Sequence, residues 1–281
     1  MKFKVGGVPE NVNAPVYQGM ASKWEPRGMS FQEFPGGTGA MSRALELGEI
    51  DIAIALTEGL VRSIAEGGDF RLVSMFTESP LTWGVHVAAG KDWSEEKLED
   101  ANFAISRLGS GSHLMAMVEA KARGWHEPAC VVVQDLDGAR LALSNGSADV
   151  FLWEKFTTKP LVDSGEWERI GEWVTPWPAF AIAVRNSVWD AHQAEIRSWI
   201  DELRDEVLSF EDSPANHNWI AERFGLETED VAEWMSGTRW SVSFGVKESI
   251  LDAVLGILKD AELVSSDAEA EALVVEGGLI P

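Results

Sequence analysis

The 281-residue sequence has little cysteine and little positive charge. Its one cysteine, Cys130, excludes an internal disulfide and a cysteine-rich metal site. The 23 basic residues against 46 acidic ones leave a formal net charge of -23, which is the wrong sign for nucleic acid or for an anionic membrane surface. We therefore expect no nucleic-acid partner, and the acidity indicates a solvated surface or a high-salt habitat.

Long apolar runs are also missing. No stretch approaches the roughly 18 residues that a transmembrane helix requires, so we expect no membrane insertion. The N-terminus, MKFKVGGVPE, has no apolar signal-peptide core and begins almost at once with a strand pattern. The sequence as written predicts a cytoplasmic protein, and a periplasmic or extracellular one if a leader has been removed.

Patterns that would carry catalysis are weak. The five histidines show no metal-ligand spacing, and neither the Gly-Lys-Ser/Thr end of a P-loop nor the dinucleotide fingerprint occurs. The run from Gly109 to His113 is not a Gly-x-Ser-x-Gly nucleophile elbow. We expect no enzyme activity, no metal site and no cofactor.

Short apolar runs alternate with helical patterns over the first two-thirds of the chain. This alternation predicts an α/β fold with mainly parallel sheets. It comes in two series, separated by the stretch SPLTWGVHVAA, so we expect two sheets of similar construction. The expected strands lie at 3–8, 29–34, 50–56, 70–76, 101–106, 130–134 and 148–153, and the expected helices at 14–24, 39–48, 58–66, from 110–112 onward, and at 138–145.

A Leu-x-x-Gly-x-x-Asp pattern occurs at 45–51 and again at 143–149, each time before an expected strand. In both copies the glycine is expected to end a helix. The repetition favours two related lobes. From about residue 187 the pattern turns helical, with an amphipathic helix expected over 188–210 and a later helix over 247–261. The tail at 262–281 carries no clear pattern.

Two glycine-rich stretches each follow an expected strand and open an expected helix: PGGTGAMSRAL at 35–45 and SRLGSGSHLMAMV at 106–118. The first N–H groups of a helix have no internal partner and are open to a hydrogen-bond acceptor, an anion above all. A tight turn is the alternative for either loop alone. One such loop in each lobe favours a ligand held between two helix starts, with hydroxyl groups from Thr38, Ser110 and Ser112.

The carboxyl ends of strands mark further candidates, because open α/β sheets bind ligands there. After the first strand come Pro9, Glu10 and Asn11. The third strand is followed by Thr57, which has the alternative role of capping a helix, and by Glu58.

Tryptophan is abundant, with 13 residues, so most of these side chains must serve packing. Trp199 and Trp234 lie on helical faces and are expected in the core. Trp83, Trp153 and Trp177 lie near expected loops or crossovers, and we expect one of the three to touch a ligand. An indole offers a flat apolar wall and one hydrogen-bond donor.

Four stretches together carry a family resemblance: FPGGTGAMSRALELGEIDIAIALTEGL, SPLTWGVHV, SRLGSGSHLMAMV and FLWEKFTTKP. In this order they resemble the type 2 periplasmic-binding-protein superfamily, in the branch with sulfonate, taurine and nitrate receptors and the yeast thiamine-pyrimidine synthases. The likeness is nearest to an often leaderless subgroup from bacteria and fungi. It covers about residues 3–185 and is only architectural beyond that point.

The resemblance implies two α/β lobes that close on a small molecule. Lobe one would comprise 1–81 and 178–281, and lobe two 82–177. The chain is expected to act as a monomer. The ligand contacts implied by the family lie at Asn11, Asn13, Gly37, Thr38, Gly39, Thr57, Glu58, Ser79, Pro80, Leu81, Ser110, Gly111, Ser112, His113, Trp153, Glu154, Thr157 and Thr158.

The main hypothesis is a solute-binding protein without enzyme activity, which captures a small polar or anionic organic molecule and has a possible ABC transporter permease as partner. An ionised Glu58 or Glu154 in the cleft would require a donor on the ligand, so a zwitterion or an amino-heterocycle stands beside a sulfonate.

The alternative is a cytoplasmic enzyme of thiamine-precursor or related metabolism, with a Schiff base at Lys155 or Lys159. The yeast synthases use a cysteine-rich motif and a consumed histidine, whereas this chain has one cysteine and no histidine before His86. A sensor that passes its closed form to a protein partner is a third possibility.

Overall fold

The computed structural model describes residues 2–211, 213 and 215–281. These residues form two five-stranded sheets. The first sheet has the strand order β2-β1-β3-β10-β4 and the second has the order β7-β6-β8-β5-β9. The strands are β1 (Lys4–Gly7), β2 (Ser30–Glu33), β3 (Ile52–Leu56), β4 (Phe70–Met75), β5 (Thr82–Ala88), β6 (Asn102–Ile105), β7 (Ala129–Val132), β8 (Val150–Glu154), β9 (Trp167–Val174) and β10 (Phe180–Arg185).

Helices flank both sheets, as the α/β pattern predicts. We call each sheet with its helices a lobe: the first lobe carries the first sheet and the second lobe the second sheet. The helices are α1 (Ala14–Gly19), α2 (Thr38–Leu47), α3 (Thr57–Ala65), α4 (Gly111–Arg123), α5 (Leu136–Asn145), α6 (Lys159–Asp163), α7 (Asn186–Glu211), α8 (Ala215–Phe224), α9 (Thr228–Gly237) and α10 (Glu248–Asp260).

Four of the five strands in each sheet run in the same direction, as expected for mainly parallel sheets, and one strand runs against them. β1 pairs in parallel with β2 and β3, and β6 with β7 and β8. β10 runs antiparallel between β3 and β4, and β5 runs antiparallel between β8 and β9. β5 follows the segment 76–81 and β10 follows the segment 175–179, and on these two segments the chain passes from one sheet to the other. Their direction is therefore set by the crossing.

The two crossing segments are hydrogen-bonded to each other. The backbone N–H of Thr175 donates to the carbonyl of Leu81 at 3.0 Å, and the Leu81 N–H donates to the Thr175 hydroxyl at 2.9 Å. The Ala179 N–H donates to the Ser79 carbonyl at 3.0 Å. The lobe boundaries at 81/82 and 177/178 remain a prediction.

The repeated Leu-x-x-Gly-x-x-Asp pattern has the same structural role in both lobes. Gly48 and Gly146 end α2 and α5 in the left-handed conformation, with φ of 71° and 74°, which confirms the expected helix ends. The carboxylates of Asp51 and Asp149 each accept a hydrogen bond of 2.9 Å from the backbone N–H that opens β1 and β6, respectively.

The C-terminal helices complete the first lobe. In α7 the apolar positions at three- and four-residue steps, from Ile196 to Val207, are buried, as an amphipathic helix requires. The backbone of α7 departs from helical geometry at His192. The tail, which shows no clear pattern in the sequence, returns to the first lobe: β12 (Leu279–Ile280) pairs with β11 (Val246–Lys247), and Val274 bridges to Leu72 of β4.

None of the helices formed by residues 2–211, 213 and 215–281 is long and apolar enough to span a bilayer.

Candidate functional site

Carboxyl ends of strands from both sheets meet the starts of α2 and α4 at a cleft between the lobes. Two adjoining cavities lie there. The first, which we call the glycine-loop cavity, encloses about 430 Å³, part of it open to solvent. Its lining comprises Val8, Glu10, Gly36, Gly37, Thr38, Leu56, Leu81, Trp83, Ser106, Ser110, Gly111, Ser112, Trp153, Glu154 and Phe180.

The second, which we call the crossover cavity, encloses about 800 Å³, also partly open. It shares Glu10, Leu81, Glu154 and Phe180 with the first. The two cavities therefore adjoin at two carboxyl groups. The other residues that line the crossover cavity are Asn11, Val12, Thr77, Ser79, Pro80, Thr82, Lys155, Phe156, Ala179, Glu233, Trp234, Ser236, Gly237 and Thr238.

Both glycine-rich helix starts line the glycine-loop cavity. Gly37 precedes α2 with φ of 71°, and Ser110 precedes α4 in an extended conformation. Neither residue provides a side-chain cap, so the first amide groups of both helices are left without that partner. Two positive helix ends therefore face one cavity, as the sequence predicts for a pair of loops.

The predicted hydroxyl groups are partly occupied within the protein. Thr38 accepts a hydrogen bond of 3.0 Å from the N–H of Leu56. The hydroxyls of Ser110 and Ser112 lie 3.1 Å apart, and that of Ser112 also accepts from the N–H of Ser106 at 3.3 Å. Hydroxyl oxygens can both donate and accept, so each serine retains capacity for a ligand.

Glu10 and Glu154 bring two buried carboxyl groups to the cleft. Glu10 Oε1 accepts a hydrogen bond of 3.1 Å from Trp153 Nε1 across the cleft. Glu154 Oε2 accepts from the N–H groups of Phe156 and Thr157, at 3.0 and 2.7 Å, and from the Thr157 hydroxyl at 3.0 Å. Burial, and next the charge of Glu154, raises the pKa of Glu10 to about 8, and burial also raises the pKa of Glu154.

Two of the three candidate tryptophans line the glycine-loop cavity. Trp153 stacks on Phe151 at 5.2 Å between ring centroids. Trp83 is 3% exposed, and its indole N–H has no partner among the described residues. Trp177 lies outside both cavity linings and donates to Glu58 Oε2 at 2.9 Å. The core positions predicted for Trp199 and Trp234 are confirmed.

Several residues implied by the family resemblance lie near the cleft but outside both linings, because each is engaged within its own lobe or by a crossing segment. The Thr57 hydroxyl donates to the Pro178 carbonyl at 2.7 Å, and Glu58 is held by Trp177. Burial raises the pKa of Glu58 to about 7. The Asn13 amide donates to the Val8 carbonyl at 2.8 Å.

Four further positions also lie outside both linings: Gly39, His113, Thr157 and Thr158. Gly39 faces the side chain of Arg107. His113 Nδ1 accepts a hydrogen bond of 3.0 Å from the Gly109 N–H. Thr157 binds Glu154, whereas Thr158 is buried against His86 Nε2 at 2.9 Å. Ser79, Pro80, Leu81 and Asn11 line the crossover cavity.

The sequence pointed to Glu10 only as a strand-end residue and did not place it in the site. Arg107 was missed altogether: this half-buried side chain reaches from the second lobe and donates to the Gly36 carbonyl of the first. A local sequence pattern does not predict a contact between residues 71 positions apart.

Metal binding has little support in the described part of the chain. Within it, no three or more His, Cys, Asp or Glu side chains are grouped so as to hold a metal ion. The lysines considered for a Schiff base are paired with carboxylates. Lys155 lies 3.4 Å from Glu172 and 3.2 Å from Glu233, and Lys159 lies 2.6 Å from Asp163 and 3.3 Å from Asp230.

One family model matches a segment of the chain. Residues 83–173 match the family model described as Ca3427-like PBP. This segment runs from the second residue of β5 to the last but one of β9. No curated protein sequence matches the chain.

Over its whole length the chain is similar to solved structures. The Candida albicans CA3427 gene product, described as having the generic periplasmic binding protein fold, is 22% identical with a TM-score of 0.88, over 100% of this chain and 96% of that one. The alkanesulfonate-binding protein SsuA from Xanthomonas axonopodis pv. citri, bound to MOPS, is 16% identical with a TM-score of 0.79, over 99% and 98%.

A third similar structure is the ligand-binding component of an ABC-type import system from Staphylococcus aureus, with zinc bound. It is 15% identical with a TM-score of 0.76, over 98% of this chain and 97% of that one. Likeness at these identities is a likeness of fold.

Proposed function

Since the chain has the type 2 periplasmic-binding-protein fold, we propose that it is a solute-binding protein that captures a small polar organic molecule between its two lobes. The fold expected from the sequence motifs is confirmed by its likeness to the solved structures. The observation that carries the proposal is the cleft, which is lined from both lobes by uncapped helix starts, indole rings and buried polar side chains. Concave sites with a few fixed polar groups on apolar walls are typical of small-molecule binding.

Unpartnered polar groups support this role. The indole N–H of Trp83 and the side-chain amide nitrogen of Asn11 are buried and have no hydrogen-bond partner among the described residues. Both side chains line the cavities. A buried donor without a partner costs stability, so such groups are usually retained where a ligand or water completes them.

The ligand classes considered are a sulfonate-like anion, a zwitterion and an amino-heterocycle. The alkanesulfonate-binding neighbour and the two helix starts favour an acidic group on the ligand. A transporter permease as partner is suggested by the neighbour from an ABC-type import system. Both statements are part of the proposal.

We propose binding without chemistry. The enzyme alternative requires an amine free to attack a carbonyl, and each candidate lysine is paired with two carboxylates. The hydrogen bond that Lys159 donates to Asp163 raises the pKa of this lysine, which keeps the amine protonated. An absorbance band on addition of pyridoxal phosphate that is lost in Lys155→Ala or Lys159→Ala would support the enzyme instead.

The first experiment is native mass spectrometry of freshly purified protein, before and after denaturation. A bound species of a few hundred daltons, released on unfolding, is the expected result, because the cleft offers fixed polar groups on apolar walls between the two lobes. Calorimetry with propanesulfonate, 4-aminopyrimidine and 4-aminobutanoate follows. An empty protein that gives no heat with any of the three would contradict the proposal.

A further inference from the structure

Glu10 and Glu154 occupy the junction of the two cavities, one from each side of the cleft. Glu10 follows β1 of the first sheet, and Glu154 ends β8 of the second. Both side chains line both cavities, and the two residues are only 9% and 7% exposed. Glu154 is among the ligand contacts that the family resemblance implies, whereas its pairing with Glu10 is visible only in the structure.

The described part of the chain leaves one oxygen of each carboxyl group free. The hydrogen bond from Trp153 reaches Glu10 Oε1, and the three hydrogen bonds to Glu154 all reach Oε2. Glu10 Oε2 and Glu154 Oε1 thus have no hydrogen-bond partner among residues 2–211, 213 and 215–281. Two acceptors remain available where the cavities meet.

No basic side chain within the described residues forms an ion pair with either carboxyl group. The nearest candidate in the chain is Lys155, which follows Glu154, but its ammonium group pairs with Glu172 and Glu233. A buried carboxylate without a positive partner is costly, and it either takes up a proton or acquires a cation from elsewhere. The ligand is the available source of that cation.

The rest of the glycine-loop cavity presents hydrogen-bond donors, in contrast to the two carboxyl groups. It presents the first amide groups of α2 and α4 and the unpartnered indole N–H of Trp83, which is 3% exposed. On the other side of the carboxyl pair, the crossover cavity is lined by Asn11, 2% exposed, whose Nδ2 is also unpartnered. These groups are donors, and they suit an acceptor such as a carboxylate or sulfonate.

We infer that the cleft binds a molecule with two ends: a protonated nitrogen that lies against the carboxyl groups of Glu10 and Glu154, and an acidic group that lies against the starts of α2 and α4. This inference rests on the proposed binding function and names its ligand class. A simple anion such as nitrate or an alkanesulfonate leaves the carboxyl pair without a partner. A zwitterion satisfies both sets of groups.

Binding of such a ligand releases a proton. The titratable group that faces Glu10 is Glu154, and burial together with that charge raises the pKa of Glu10 to about 8. At neutral pH the Glu10 carboxyl is therefore mostly protonated in the empty cleft. A cation placed against it favours the ionised form and lowers its pKa, so the proton leaves as the ligand enters.

The test compares ligands that share an acidic group and differ only in the amine. The probes are 4-aminobutanoate against butanoate, and 3-aminopropanesulfonate against propanesulfonate. Each is titrated by calorimetry near pH 7 in buffers of different ionisation enthalpy, which yields the number of protons released. We expect the amino member of at least one pair to bind about tenfold or more tightly than its partner, with release of up to about one proton.

Glu10→Gln tests whether the amine contacts this group. This substitution is expected to abolish proton release and to remove the preference for the amino ligand, while binding of the plain acid is kept or improved. Glu206→Gln is the matched control, because Glu206 is a buried carboxylate of α7 that pairs with Lys23 outside the cleft. This control is expected to leave proton release and the preference for the amino ligand as they are in the unsubstituted chain.

The outcomes separate the two proposals. If the plain acids bind as tightly as the amino ligands and Glu10→Gln changes nothing, the ligand class is wrong and the binding function stands. If none of the four probes gives heat and native mass spectrometry finds an empty protein, the binding function fails with it. Circular dichroism of each variant confirms that it is folded.

Discussion

The two carboxyl groups of the cleft are supported in different ways. Glu154, on the second lobe, is held by three hydrogen bonds from Phe156 and Thr157, which belong to its own lobe. Glu10, on the first lobe, accepts its hydrogen bond from Trp153 of the opposite lobe. The glycine loops repeat this difference: Ser110 and Ser112 bind each other, whereas the Gly36 carbonyl accepts from Arg107 across the cleft.

At Glu154 and its glycine loop the second lobe thus forms its side of the cleft by itself, whereas the first lobe completes Glu10 and its glycine loop through contacts from the second. A face that is already formed loses little conformational entropy when a ligand binds, and a face completed from across the cleft is ordered only when the lobes meet. The residues that match a family model, 83–173, are those of the self-supported lobe. The difference predicts that changes in the two faces have distinct effects.

The largest effect is expected from Glu10→Gln on the pH dependence of stability. The pKa of Glu10, raised by burial from 4.5 to about 8, means that the folded chain holds a proton over this interval that the unfolded chain has released. The free energy of unfolding therefore falls as the pH rises from 4.5 to about 8, by an amount on the order of a few kcal/mol. In Glu10→Gln this loss is absent, so the variant is the more stable protein above about pH 8.

Urea denaturation at several pH values across that interval measures the effect. Glu58→Gln is the comparison within the first lobe, because Glu58 is also buried but bonds to Trp177 and has a pKa of about 7. The difference in free energy of unfolding between Glu58→Gln and the unsubstituted chain should reach a plateau near pH 7. The corresponding difference for Glu10→Gln should continue to grow up to about pH 8. Parallel pH curves for Glu10→Gln and the unsubstituted chain would show that Glu10 is not buried as described.

A second large effect is expected at Gly111, which lies against Leu56 of the first lobe. A Cβ atom there would overlap Leu56 Cδ1 of the first lobe and lie 2.9 Å from Trp83 Cη2. Overpacking of this kind costs about 1–3 kcal/mol, so Gly111→Ala should weaken ligand binding by roughly 5- to 150-fold. Small-angle scattering should show a more open molecule.

The matched control is Gly256→Ala in α10, where nothing lies within 4 Å of the added Cβ. Alanine favours a helix over glycine, so this variant should be equally or slightly more stable and should bind normally. If Gly111→Ala binds like Gly256→Ala, the side chains of Leu56 and Trp83 move aside, and the contact between the lobes is looser than the structure indicates.

Trp153→Phe should have an intermediate effect. It removes the hydrogen bond of 3.1 Å to Glu10 but retains an aromatic ring that stacks on Phe151. A hydrogen bond of this kind contributes about 1 kcal/mol, which corresponds to roughly fivefold weaker binding. The comparison is Trp173→Phe, which loses a bond of 2.7 Å to Glu95 within the second lobe.

Trp173→Phe is expected to lower the melting temperature without an effect on affinity, because its bond does not cross the cleft. Thermal unfolding and calorimetry on both variants separate the two effects. Equal losses of affinity would mean that the hydrogen bond across the cleft has no special role in completing the first-lobe face.

Local sequence patterns were sufficient for most elements of the fold. Seven of the ten strands in the two sheets lie within about two residues of their expected positions, because apolar runs bounded by glycine and aspartate are typical of buried strands. No strand was expected at β5, β9 or β10. Gly48 and Gly146 were recognised as helix ends from spacing alone. The antiparallel direction of β5 and β10 was not predicted, because it depends on where the chain returns from and not on its composition.

The candidate site was predictable where backbone geometry alone decides it. The rule that ligands bind at strand ends and helix starts led to Gly37 and Ser110, and the family resemblance implied Glu154; all three line the cleft. The same rule also led to Glu58, which lies outside both cavity linings because it bonds to Trp177, 119 positions away in the chain. The direction of a polar side chain depends on such long-range partners, and a single sequence does not reveal them.

The smallest effect on binding is expected from Gly37→Ala, which probes the first-lobe face by its backbone alone. Gly37 has φ of 71° and ψ of -162°, a conformation almost confined to glycine, and no atom lies within 4 Å of the added Cβ. The control is Gly146→Ala, at the end of a helix outside the cleft and also in open space, where φ of 74° and ψ of 18° are left-handed helical. Both variants should lose stability in urea, by about 1–3 kcal/mol in Gly37→Ala and about 1 kcal/mol in Gly146→Ala. Because the start of α2 is expected to contact the ligand, Gly37→Ala alone should also weaken binding, by about twofold to fivefold. Unchanged affinity in Gly37→Ala would mean that the second lobe supplies the helix start that the acidic group uses.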